Sequence, residues 1–314
     1  MGKLTYLKDV IHNPDTAITV GTFDGVHLGH RQLISLLVEK ARSIKGRSVV
    51  VTFDPHPREV LHGGNNTISL LTSLPERVQI LEEMGVDEMV VIPFDRDFSL
   101  LSSHEFIEQV IFKKIGVKEF IIGYDHQFGK NREGTIETVR QLGESLGFNV
   151  TMVTAHEVSK TTVSSTSVRK ALANEGNVEL AADFLGRPYP LKGLVIHGDK
   201  KGRTIGFPTA NIRLHEPRKV IPQHGVYVVV VEYAGKRYKG MMNIGVRPTV
   251  TDLPELRLEV HILEFDEDIY GKMLNLHFVK RIRNEKKFSS FSDLKQQLEV
   301  DKQDCINAIK TLYS

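Results

Sequence analysis

The chain has 314 residues, enough for two domains of ordinary size, each able to bury a core without covalent staples. Hydrophobic residues make up 40% and charged residues 25%, and the formal net charge is +2, which speaks against disorder and against a broad electrostatic footprint for nucleic acid. A single cysteine, Cys305, excludes an intramolecular disulfide and a cysteine-based zinc site; with no signal peptide at the start and no apolar run of ~18 residues, the expectation is a cytoplasmic protein with no membrane span.

The first half alternates two hydrophobic periods. AITVGTF (17–23) is a short apolar run closing on a Gly-rich turn and reads as a buried strand. Leu33, Leu36, Leu37, Ala41 and Ile44 then recur at helical spacing. SVVVTF (48–53), DEMVVIPF (87–94), KEFIIG (118–123) and a stretch near 149–154 read as further strands. Helices are predicted at 74–84, at 104–115 with Ser102 or Ser103 as cap and Glu105 in the first turn, and near 135–146. Strands alternating with helices imply a doubly wound parallel sheet, which binds ligands beyond the carboxyl ends of its strands. That directs attention to loops 21–30, 54–66, 94–103 and 123–134.

After GRPYP (186–190) the pattern turns β-rich, which sets the expected domains at 1–186 and 187–314. LKGLVIHG (191–198), GVYVVVVEYAGKRYKGMMNIGV (225–246, turning at Ala234-Gly235), LRLEVHILEF (256–265) and KMLNLHFVKRI (272–282) read as strands. Leu256, Leu258, Val260 and Ile262 share one face and Arg257, Glu259 and His261 the other, as in an antiparallel barrel or sandwich. A terminal helix is expected over 291–312, with Phe291, Leu294, Leu298, Cys305 and Ile309 as its contacts.

Two constellations carry chemistry. In GTFDGVHLGH (21–30), His27 and His30 lie three apart where a strand hands over to a helix. Free N–H groups at a helix start suit a phosphate, Gly29 lets it approach, and Gly21 and Gly25 free the turn. Attack on an α-phosphate expels pyrophosphate, and two positioned imidazoles can stabilise the growing negative charge. The second constellation is HGDKKGRTIGFPTANI (197–212), where Gly198, Gly202 and Gly206 let backbone amides curl around phosphates and Lys200, Lys201 and Arg203 add positive charge. No Walker A sequence is present.

Read together, GTFDGVHLGH, VTFDPHP (51–57), GYDHQFGK (123–130) and VSSTSVR (163–169) resemble, in order, the N-terminal half of the prokaryotic bifunctional riboflavin kinase/FAD synthetase family. GFPTAN (206–211) and NIGVRPT (243–249) are similar to its kinase half. The resemblance implies a nucleotidyltransferase-like α/β domain followed by a riboflavin kinase β-barrel with a terminal helix. It implies ATP, riboflavin and FMN as ligands; the net charge of +2 and the lack of a long apolar run set the expectation of no nucleic acid and no membrane, and a monomer or weak homo-oligomer is expected. His27 and His30 would bind ATP phosphates and stabilise the transition state, with Gly21, Phe23, Asp24, Gly29 and Asp125 around the nucleotide. Ser165, Thr166 and Arg169 would form a second phosphate clamp. His126 departs from an aromatic position of the family. His56, between Pro55 and Pro57, is either a phosphate contact or a structural histidine. In the kinase half Gly198, Lys201, Gly202, Arg203, Gly206 and Pro208 would shape the ATP site, Thr209 and Asn211 would ligate Mg²⁺, and Glu259 would accept the proton of the ribityl hydroxyl. The basic run KRIRNEKKF (280–288) fits a solvated face or a flap over the flavin site.

Overall fold

A computed structural model describes residues 3–61, 68–124, 128–130, 133–153, 163–198, 201–247 and 255–313. By internal contacts the chain divides into two units, residues 1–164 and 165–314.

In the first unit, six parallel strands follow the order β1 (Lys3–Tyr6), β4 (Glu88–Pro93), β3 (Arg47–Asp54), β2 (Thr16–Val20), β5 (Glu119–Gly123), β6 (Asn149–Val153). β2 is buried along its whole length, and β3 and β4 along most of theirs, because helices cover both faces. Side chains alternate between two cores. Ile18, Val20, Val49, Val51, Val90 and Ile92 face one, and Ala17, Val50, Met89, Val91 and Ile121 face the other. α1 (Leu28–Ser43) and α3 (Leu74–Glu83) pack on the second face. α4 (Ser103–Glu105), which runs on as wider π-type turns over Phe106–Ile115, packs with α5 (Ile136–Leu146) on the first.

Two details depart from the sequence expectation. α1 buries Ile34, Leu37, Val38 and Ala41, while Leu33, Leu36 and Ile44 are only partly buried at the margin. β1 is an edge strand of four residues with one buried position, Thr5, too short and too polar to register as an apolar run. Ser102, not Ser103, caps α4: its Oγ accepts from the Glu105 amide at 3.2 Å, and the Glu105 carboxylate accepts from the Ser102 amide at 2.9 Å.

The second unit opens with α6 (Ser165–Arg169), which continues to Glu175, and α7 (Val178–Leu185). A closed antiparallel barrel follows in the order β10 (Lys236–Arg247), β11 (Glu255–Ile262), β8 (Ala210–Leu214), β7 (Tyr189–Ile196), β12 (Met273–Arg283), β9 (Gly225–Tyr233). β8 had no signal of its own, since Ile212 is its only buried residue. Ala234 and Gly235, both at positive φ (49° and 75°), join β9 to β10 in a tight hairpin. α6 and α7 belong with the barrel for a visible reason. The Arg281 guanidinium, on β12, donates to the Glu175 carbonyl at 3.0 Å and the His224 carbonyl at 2.6 Å, tying the α6–α7 turn to the barrel wall. The contact boundary at 164/165 therefore precedes the composition boundary at Gly186.

α9 (Phe291–Tyr313) covers one side of the barrel with buried Cys305 and Ile309. Phe291, expected among its contacts, is 68% exposed because it stands at the helix start, ahead of the packed turns. The helix carries one fully buried charge, Asp301, whose carboxylate accepts from Arg283 Nε at 3.0 Å and Nη2 at 2.8 Å and from Gln297 at 2.9 Å. Paired in this way the charge is tolerated inside.

Candidate active sites

In the first unit β2 stops at Val20, at the point where strand order reverses between β2 and β5. Such a reversal opens a crevice at the carboxyl ends of the strands. Residues 21–27 cross it in an unusual conformation: Phe23, Gly25 and Val26 all have positive φ (47°, 87° and 41°). For Phe and Val this costs on the order of 1–3 kcal/mol each, so something must hold the loop.

Asp24 does. Its carboxylate, 1% exposed, accepts from the amides of Leu71 (3.0 Å) and Thr72 (2.9 Å) and from the Thr72 hydroxyl (3.2 Å). The Thr72 hydroxyl in turn accepts from the Gly25 amide at 2.9 Å. Arg77 of α3, 4% exposed, sits 3.8 Å from the same carboxylate and donates to Thr52 Oγ1 (3.1 Å) and the Thr72 carbonyl (3.2 Å). Thr52 closes the circuit by donating to the Thr22 carbonyl at 3.2 Å. Burial lowers the Arg77 pKa from its ordinary value, opposed by the charges of Asp24, Asp54 and Glu76. Asp24 thus faces inward and shapes the loop, and buried Phe23 lies under it, its ring 5.0 Å from that of His30.

The loop delivers His27 as the N-cap of α1. Its Nδ1 accepts from the His30 amide at 3.4 Å, which leaves the proton of the neutral ring on Nε2. The two imidazoles stack, with centroids 3.7 Å apart and planes 18° apart. Gly29 lies between them in the first turn, and Gly21 bonds back to β3 through the Val51 carbonyl at 3.0 Å. One helix start therefore brings first-turn amides, a positive dipole end and two ring systems to one place. His56 Nδ1 accepts from the Arg58 amide at 3.2 Å at the start of α2 (Pro57–Leu61). Asp125 and His126 lie outside the described residues. Ser165 and Thr166 form the first turn of α6, with Arg169 at its end.

In the second unit the sequence-predicted residues meet on neighbouring strands. Asn211 of β8 is directly paired with Glu259 of β11, and Glu259 with Asn243 of β10, so three polar side chains stand in one row across the barrel. Leu258 and Val260, flanking Glu259, are buried on the opposite face. Arg257 Nη1 lies 3.7 Å from Glu259 Oε1. Gly198 lies beneath Asn211: a Cβ there would come within 2.0 Å of Asn211 Nδ2, so only glycine leaves room for that amide.

Two cavities meet at GFPTAN. One, of about 310 Å³, is lined by Thr209, Asn243, Glu259, His261 and the apolar side chains of Phe288 and Phe291. The other, of about 370 Å³, is lined by Arg203, Pro208, Thr209, Asp266 and Tyr270. Thr209 borders both, Glu259 only the first and Arg203 only the second. Lys201, Gly202 and Arg203 fall in α8 (Lys201–Thr204), and Gly206, at φ 86°, turns the chain into Phe207. Lys200 lies outside the described residues. Burial pushes the His261 imidazole below its ordinary pKa, against the bond that it makes to the Pro208 carbonyl.

Comparison with known proteins gives two family matches in succession along the chain. The FAD synthetase family model matches residues 10–167 and the riboflavin kinase model residues 185–309. The bifunctional riboflavin kinase/FMN adenylyltransferase of Haemophilus influenzae is 43% identical over 91% of this chain and 91% of its own. The chain belongs to the bifunctional riboflavin kinase/FMN adenylyltransferase family. The Escherichia coli K12 member is 40% identical, covering 93% of this chain and 94% of its own. A solved structure from Streptococcus pneumoniae, described there as a macrolide-efflux protein, shares the fold with a TM-score of 0.88 and 34% identity, over 97% of this chain and 99% of that one. Among the described residues no helix is long and apolar enough to cross a membrane.

For this family member, sequence reading passed over residues that only the fold brings to the sites. Thr52 of β3, Thr72 of the loop before α3 and Arg77 of α3 support the histidine loop, and Arg77 looks in sequence like an ordinary charged helix residue. Asn243 was within a recognised segment but had no role until β10 placed it opposite Glu259.

Proposed function

We propose that the barrel unit phosphorylates riboflavin to FMN with ATP, and that the α/β unit adenylylates FMN with a second ATP to give FAD and pyrophosphate. The observation that carries the kinase assignment is the pairing of Glu259 with Asn211, beside Thr209 at the border of two cavities. Riboflavin occupies the cavity that holds Glu259 and the aromatic rings, and ATP the one that holds Arg203. Glu259 accepts the proton of the ribityl 5′-hydroxyl as its oxygen bonds to the γ-phosphorus; the bond to the β-phosphate oxygen breaks and ADP leaves.

Thr209 and Asn211 fit a hard divalent ion, since hydroxyl and amide oxygens are donors of the kind that Mg²⁺ accepts and the Gly198 hydrogen leaves space for the amide. They would hold Mg²⁺ together with ATP phosphates, and the ion when bound would supply positive charge against the phosphate oxygens.

In the α/β unit a phosphate oxygen of FMN attacks the α-phosphorus of ATP, and the bond to the β-phosphate breaks. His27, donating from Nε2, and His30 stabilise the charge that grows on the departing pyrophosphate. Ser165, Thr166 and Arg169 keep, as part of this proposal, the phosphate-binding role that the family resemblance gives them. The chain acts as a monomer or weak homo-oligomer. Incubation with riboflavin and ATP, with product separation, tests the whole reading. FMN followed by FAD is expected; FMN alone, even with FMN supplied, would remove the adenylyltransferase assignment.

A further inference from the structure

The ladder between β8 and β11 is short. It holds only two pairs, Glu259 with Asn211 and Val260 with Ala210. The antiparallel register would next set His261 opposite Thr209 and Ile262 opposite Pro208. Proline has no amide hydrogen, so the backbone ladder has no donor to offer there. β11 itself continues to Ile262, held on its other side by β10.

What replaces the missing ladder is a side chain. His261 Nδ1 lies 2.8 Å from the Pro208 carbonyl oxygen, and its ring meets Phe207 edge-on at 5.1 Å. A carbonyl can only accept, so Nδ1 carries the proton. The residue that follows Pro208 is Thr209, and the residue two before His261, on the same face of β11, is Glu259. One bond therefore sets the height of the donor-side hydroxyl against the acceptor-side carboxylate.

We propose that His261 is a positioning residue for phosphoryl transfer: its Nδ1–H holds the Pro208 carbonyl and so fixes Thr209 relative to Glu259. This rests on the kinase reading above. His261 contributes neither the proton acceptor nor a phosphate ligand; it replaces a backbone bond that the GFPTAN sequence forbids.

The test uses the full-length chain. His261→Phe keeps a ring against Phe207 and removes the donor, whereas His261→Asn retains an N–H near the Nδ1 position. For His261→Phe, kcat of riboflavin phosphorylation should fall by up to about a hundredfold, the scale of a misplacement of about 1 Å, with the KM for riboflavin little changed. FAD formation from supplied FMN should not change, which reports that the α/β unit is folded, and riboflavin binding with the wild-type KM reports the same of the barrel unit. His261→Asn should recover most of the lost kcat. Nitrogen-15 spectra of the wild-type imidazole should show the Nδ1–H tautomer. A His261→Phe variant with undiminished kcat, a raised KM at constant kcat, no recovery in His261→Asn, or an Nε2–H tautomer would each overturn the proposal. A wild-type chain that makes no FMN would instead overturn the kinase reading beneath it.

Discussion

Glu259 and Asn211 are directly opposite one another across the β8–β11 ladder, so the proposed proton acceptor and the proposed phosphate-side ligand share one register. A loss at Glu259 should therefore be chemical and not structural. Glu259→Gln, which keeps shape and removes the basic oxygen, should slow FMN formation by about 10²–10⁴-fold. FAD formation from supplied FMN should stay as it was. Chromatography of both products checks this, and undiminished FMN formation would take Glu259 out of the role.

His27 and His30 should separate by a second measurement. Either alanine substitution should cost FAD formation about 10²–10³-fold, the usual cost of one transition-state donor. Only His27 also caps α1, so His27→Ala should lose about 1 kcal/mol of stability that His30→Ala keeps. Denaturant melts of the two variants decide it; equal midpoints would deny His27 the capping role.

Arg77 should matter more to folding than its distance from the chemistry suggests. Arg77→Met leaves Asp24 buried against backbone amides with its cation gone, a change that costs about 3–5 kcal/mol in comparable buried pairs. Adding Asp24→Asn should restore part of the loss, because the uncompensated charge goes with it. Urea unfolding of both variants is the measurement, and additive losses would show that the pair does not act as a unit.

Cys305 supplies a pH signature for the second unit. Burial pushes the thiol up to about 11 from its ordinary value of 9.0. Between those values an unfolded chain releases the proton while the folded one keeps it, so this contribution is whole below pH about 9 and drains away as the pH climbs to about 11. Cys305→Ser should flatten that part of the stability profile. At neutral pH the native thiol should react with a disulfide reagent only as fast as the unit opens.

Most of the architecture was legible because it is written in period. β2, β3 and β4 are apolar runs with buried faces on both sides, and β11 alternates cleanly from Leu256 to Ile262. β1 and β8 were not, since each buries a single residue, Thr5 or Ile212, and owes its existence to the strand beside it. The chemistry-bearing residues stood out because His27, His30 and GFPTAN cluster in sequence. Their supports did not. Arg77, Asp301 and His261 carry their meaning in partners 53, 18 or 53 positions away, as Asp24, Arg283 and Pro208, and no local pattern marks such a partner.

Closing the barrel also governs how the chain would fail. Six strands joined in a ring leave the barrel, among the described residues, without a free edge strand, whereas the parallel sheet ends on β1 and β6, of four and five residues. Edges of that kind are where strands of separate molecules add to one another. Aggregation under mild denaturing stress should then begin from the α/β half, with the barrel half still refoldable. The shortest ladder in the barrel is the two-pair one between β8 and β11.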